Sequence, residues 1–130
     1  MKTLQLIARI IAALIMLQTL YFKFTAQPDS VYIFSTLGIE PFGRIGSGIA
    51  ELIASILLFV PSTSWIGAII GIGVMAGAIV SHLTILGIEV QNDSGQLFGM
   101  ALITFLCCLF VLFYERKKAF SFVSTILKRG

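Results

Sequence analysis

Apolar residues in this chain do not alternate with polar ones; they come in long runs. Four stretches near the length that crosses a bilayer as a helix, about 20 residues, occupy Leu4 to Phe24, Arg44 to Val60, Trp65 to Ile88 and Gln96 to Tyr114. The segments between them are unequal: Thr25 to Gly43 is polar and aromatic, Pro61-Ser62-Thr63-Ser64 is very short, and Glu89 to Gly95 is only a little longer. Such tight joints force consecutive helices to run antiparallel. The pattern therefore predicts an all-α, antiparallel transmembrane four-helix bundle, one domain over 1–130, with a basic tail at 115–130.

Local punctuation agrees. Asn92-Asp93-Ser94-Gly95 reads as a turn, and Asp93 is spaced from Gln96 as in a capping box opening the fourth span. Calcium binding by Glu89, Asn92 and Asp93 is the sharper alternative, but their spacing matches no ligand loop. In the first long joint, Asp29 or Ser30 is expected to start a short helix through Leu37, ended by Gly38, along the headgroups. The N-terminal run, preceded by Lys2, has a signal-like charge pattern, but it continues through Lys23 and Phe24 and meets no small-x-small cleavage site. It is read as the first span.

Polar residues inside the spans are costly unless they face protein or water. On the first span Gln5, Arg9, Ala12, Met16, Thr19 and Lys23 recur at spacings of three and four, a single stripe that must face the bundle. Arg44, Gly48, Glu51 and Ser55 make a similar line on the second, with Glu51 about 10 Å below Arg44 at 1.5 Å per residue. The third span carries Gly67, Gly71, Gly73 and Gly77, which predict close backbone approach in small-xxx-small fashion. Near its outer end His82 lies about 9 Å inside Ile88 by the same rise. Lys23, Arg44, Glu51 and His82 form the candidate polar cluster. Its structural reading pairs Lys23 or Arg44 with Glu51 and lets His82 donate to a carbonyl; its functional reading holds a ligand or carries protons.

Composition tells the same story: 58% of the residues are hydrophobic and 12% charged, against about 45–50% and about 25% in soluble domains. The net charge of +3 comes largely from cations after Tyr114, with no aromatic-interleaved basic face, so nucleic acid is excluded as a partner. Lys2, Arg9, Arg116, Lys117, Lys118, Lys128 and Arg129 fall on one side of the bundle, and Lys23 and Arg44 on the other. That asymmetry predicts cytoplasmic termini in an inner (plasma) membrane. Cys107 and Cys108 are adjacent on one helix, about 100° apart, and read as packing residues. No Cys-x-x-Cys, phosphate loop or nucleophile with a base is present, and one histidine without partners makes no metal site.

Arg9, Lys23, the Leu37-Gly38-Ile39-Glu40-Pro41 segment and the Ala50-Glu51-Leu52 centre of the second span together resemble the DoxX-like family of small four-helix membrane proteins. The likeness runs from Arg9 through the fourth span. It implies a membrane redox setting, since the family takes its name from a subunit of a thiosulfate:quinone oxidoreductase, and it puts Lys23 and Glu51 on the family's polar positions. The expected function is an accessory subunit of a quinone-linked system rather than a stand-alone enzyme, with quinone as the possible cofactor and the bilayer, a redox partner or further copies of the chain as partners. The alternatives are a small transporter or proton-conducting oligomer, and a membrane assembly factor without chemistry.

Overall fold

The computed structural model describes residues 2–25, 28–40, 42–88 and 95–129. Its elements are all helical: α1 (Lys2–Phe24), α2 (Pro28–Thr36), α3 (Phe42–Phe59), α4 (Ser64–Ser81) continued by a π turn (His82–Leu86), α5 (Gln96–Tyr114) and α6 (Arg116–Arg129). α1, α3, α4 with its π turn, and α5 are each long and apolar enough to cross a membrane. Their limits lie close to the expected spans. The turn at Glu89 to Ser94, including the Asp93 capping residue, lies outside the described residues; α5 begins directly after Gly95, whose φ is 83°.

α1 packs on α3 and α5, and α4 packs on the same two helices. Contacts between α1 and α3 run in opposite sequence order, Arg9 meeting Leu58 and Lys23 meeting Arg44. The core is built from small and flexible side chains: Ala8, Ala12, Ala13 and Met16 of α1, Ala54 and Leu58 of α3, Ala68 and Met75 of α4, and Ala101, Cys108 and Val111 of α5. Large residues such as Leu14, Ile56, Leu83 and Leu106 point outward and are exposed. Small-in and large-out is the arrangement that suits lipid, where helix contacts gain from close packing rather than from escaping water. The α1 and α3 stripes are buried from Gln5 to Met16 and from Arg44 to Ser55.

The glycines of α4 divide. A Cβ at Gly67 would lie 2.7 Å from Ala54 O and 2.9 Å from Leu58 N, and one at Gly71 would meet Cys108 Sγ at 2.7 Å. At Gly73 and Gly77 there is nothing within 4 Å. The packing role expected of all four therefore belongs to Gly67 and Gly71 alone.

Two buried arginines cap each other's helices. Arg9 on α1 donates from Nε to Leu58 O at 2.6 Å, and Arg44 on α3 donates to Lys23 O. The last carbonyls of a helix lack intrahelical donors, and in lipid no water replaces them. Each guanidinium fills that gap and places a cation at a negative helix end. Thr63 Oγ1 supplies Leu57 O at 3.0 Å, completing the end of α3.

α2 ends as a Schellman motif: Ile39 N donates to Phe34 O and Gly38 N to Ser35 O, both at 3.0 Å, with Gly38 at φ 78°. The helix expected up to Leu37 is thus present as Pro28–Thr36. It packs on α1, α3 and the π turn, rather than lying only along the headgroups. The tail, read from the sequence only as basic, is helical from Arg116 to Arg129.

Candidate functional site

Glu51 sits mid-way along α3 and is fully buried. Its Oε1 accepts from Lys23 Nζ, and its Oε2 accepts from Thr19 Oγ1. Thr19 and Lys23 are four residues apart on α1, one turn above the other on the same face, so a single carboxylate takes a donor from each. The Thr19 hydroxyl is also 3.0 Å from Met16 O. Its one proton goes to the carboxylate, the charge-assisted and stronger acceptor. Ser55 Oγ donates to Glu51 O at 2.8 Å, one turn along α3. Lys23 Nζ lies 5.7 Å from the centre of the Phe34 ring, brought over it by α2, a cation–π distance.

His82 arrives from the other side. The π turn widens the helix at the point where it leaves α4, a device common at functional positions, and the turn ends at Gly87 with φ 82°. Nδ1 of His82 is 2.9 Å from Gly87 O. A carbonyl only accepts, which assigns the proton to Nδ1 and leaves Nε2 as the acceptor of the neutral ring. Phe98 of α5 meets the ring edge-on, with centroids 5.5 Å apart.

Between these groups lies a cavity of about 710 Å³, walled by α1, α2, α3, α4, the π turn and the start of α5. Lys23, Glu51 and His82 all line it, with Thr19, Gln18 and Ser47. Ile15, Met75, Leu97 and Met100 give it apolar walls, and Phe34 of α2 lines it as well. Gly73 and Gly77 belong to the same wall, so the glycines that pack against nothing are the ones that leave room.

Three of the four candidate residues are thus brought to one cavity. Arg44 is not: it pairs with Glu40, Nε to Oε1 at 2.8 Å, in addition to capping α1, and it lies outside the lining. Thr19 was readable as part of the α1 stripe, and its spacing from Lys23 is the signal for a shared acceptor. Phe34 carried no such signal, because its position over Lys23 depends on how α2 folds back. Cys108 is buried in the core beside Gly71 and takes no part in the cavity.

The Lys23–Glu51 pair has no net charge, and its two carboxylate oxygens are both occupied. A net-charged guest would enter low-dielectric surroundings without a free counter-ion, at a cost of several kcal/mol. The site therefore suits a neutral, largely apolar molecule with one or two hydrogen-bonding atoms, and its volume is within the usual range for small-molecule sites.

A family model described as DoxX matches residues 4–84, more than half of the chain. The match takes in Lys23, Arg44, Glu51 and His82 and stops inside the π turn, short of the fourth span that the sequence resemblance included. No curated protein and no solved structure matches the chain.

Proposed function

The chain belongs to the DoxX family, and from that premise we propose that it is an accessory membrane subunit of a quinone-linked redox system, binding a quinone-type ring in the cavity beside Lys23, Glu51 and His82. The observation that carries this reading is the cavity of about 710 Å³ with apolar walls and a neutral polar cluster. A quinone is itself neutral and apolar and bears two carbonyl oxygens. Lys23, held in place by Glu51, presents its remaining N–H donors on one side, the single Thr19 proton being committed to Glu51. His82, held in place by Gly87 O, presents Nε2 as an acceptor on the other, which matches a hydroxyl of the reduced, quinol form of the ring. When bound, such a ring supplies two-electron, two-proton chemistry; this chain's residues bind and orient it and exclude water. The polypeptide is a multi-pass membrane protein, and we place it in the plasma membrane with both termini on the cytoplasmic side, following its Lys and Arg distribution.

The test is binding of a short-chain quinol analogue, the reduced form whose hydroxyl His82 Nε2 can accept, to the purified chain in lipid nanodiscs. Saturable binding is expected, weakened about ten-fold in His82→Phe and in Glu51→Gln, the loss of roughly one buried hydrogen bond. Absence of saturable binding, or binding by both variants as tight as that of the unsubstituted chain, refutes the proposal. Proton flux in liposomes that disappears in Glu51→Gln favours conduction instead, and a co-purifying partner with neither property favours an assembly role.

A further inference from the structure

The C-terminal helix α6 lies at the end of the bundle that carries both termini. Gln5 Nε2 of α1 is 3.3 Å from Glu115 Oε1, just before α6 begins, and Lys118 Nζ reaches Glu115 Oε2 at 3.0 Å and Pro61 O at 3.2 Å. Phe122 meets Trp65 with ring centroids 5.4 Å apart. α6 therefore turns back after Tyr114 and passes beside the joint between α3 and α4, instead of extending α5 away from the bundle.

Its sequence is two-faced. At 100° per residue, Ala119, Phe120, Phe122, Val123, Ile126 and Leu127 fall within an arc of about 160°, and Lys117, Lys118, Ser121, Ser124, Thr125 and Lys128 fall on the opposite one; Arg116, the first residue, falls inside the apolar arc with its guanidinium 4.3 Å from the centre of the Phe113 ring. Of the apolar set only Phe122 has an aromatic partner among the described residues; Phe120 is 68% and Leu127 74% exposed. On the polar side, Lys117, Ser121 and Thr125 border a groove whose other wall is Ser62 and Trp65. Phe113, near the end of α5, is exposed as well.

We infer that α6 is a membrane-surface helix that binds the anionic phospholipid leaflet next to it, with Phe120, Val123, Ile126 and Leu127 in the acyl boundary and Lys117 and Lys128 on the headgroups. The occupant follows from charge: the polar arc carries Lys117, Lys118 and Lys128 and no acid, which complements anionic headgroups and adds to burial of the apolar arc. Its N-terminal half is tied to the bundle by Lys118 and Phe122.

The chain contains a single tryptophan, Trp65, and it forms one wall of this groove. In nanodiscs of phosphatidylcholine titrated with phosphatidylglycerol, Trp65 emission is expected to shift saturably. Lys117→Gln with Lys128→Gln should weaken that dependence roughly 25-fold, about five-fold for each cation near an anionic surface. An emission that ignores phosphatidylglycerol, or a response unchanged in the double variant, overturns the inference. A second measurement does not depend on those lysines: Leu127→Trp in a Trp65→Phe background, in vesicles containing phosphatidylglycerol. Quenching by bromine-labelled acyl chains supports the placement. Quenching by aqueous iodide overturns it, and protection from both quenchers in a dimeric sample overturns it in favour of a second copy of the chain.

Discussion

Replacing Gly67 or Gly73 by alanine adds the same methyl group to the same helix, and the structure separates the two outcomes. At Gly67 the new Cβ meets main-chain atoms, Ala54 O at 2.7 Å and Leu58 N at 2.9 Å, where comfortable contact begins near about 3.5 Å. Neither atom can swing aside as a side chain would, so α3 and α4 must part by roughly 0.8 Å. A gap of that size forfeits a quarter to a half of each contact lining the seam, and overpacking of this kind costs about 1–3 kcal/mol. At Gly73 nothing lies within 4 Å, and the packing cost is about zero. Helices persist in the unfolded state inside a bilayer because their backbone groups have no water to turn to. The helix-propensity gain of alanine, about 1 kcal/mol, therefore cancels, and packing alone is read. Unfolding by SDS titration in mixed micelles should show Gly67→Ala destabilised by about 1–3 kcal/mol and Gly73→Ala unchanged. Equal losses in the two variants, or a neutral Gly67→Ala, would refute the division of the glycines.

Two further outcomes follow from the buried charges. Glu51→Gln leaves the Lys23 ammonium without its carboxylate and should cost about 2–3 kcal/mol, below the about 3–5 kcal/mol for a fully buried pair because Lys23 is partly open to the cavity; adding Lys23→Met should restore most of it. A double-mutant cycle in the same micelles with a coupling near zero would show that the pair is not coupled. Arg9→Met strands Leu58 O at the end of α3 and should cost about 1–3 kcal/mol, while Arg9→Lys, which keeps a donor and a cation, should lose less; equal thermal inactivation of the two variants in detergent would contradict reciprocal capping.

Much of this architecture was legible. The four spans, the inward stripes on α1 and α3, and the short helix ended by Gly38 all follow from hydrophobic run length, a helical period and a glycine that tolerates positive φ. Lys23 as the partner of Glu51 was one of two options, and choosing between it and Arg44 required knowing that Arg44 is already used by Glu40 and by the end of α1. The π turn at His82 was not legible, because the sequence from Val80 to Leu86 carries no proline or glycine to announce it. Nor was the helical nature of the tail expected, although its two-faced spacing was there to be read.

The amino-acid sequence by itself determined that this chain belongs in lipid and that the few charges within its spans must turn inward, because run length and the cost of exposing charge to hydrocarbon depend only on local composition. Tertiary structure alone decided which glycines pack and which make room, which arginines close helix ends and which lysine neutralises the carboxylate. Those outcomes depend on the distance between segments far apart in the chain, and a few tenths of an ångström between two helices is set by every side chain along their seam.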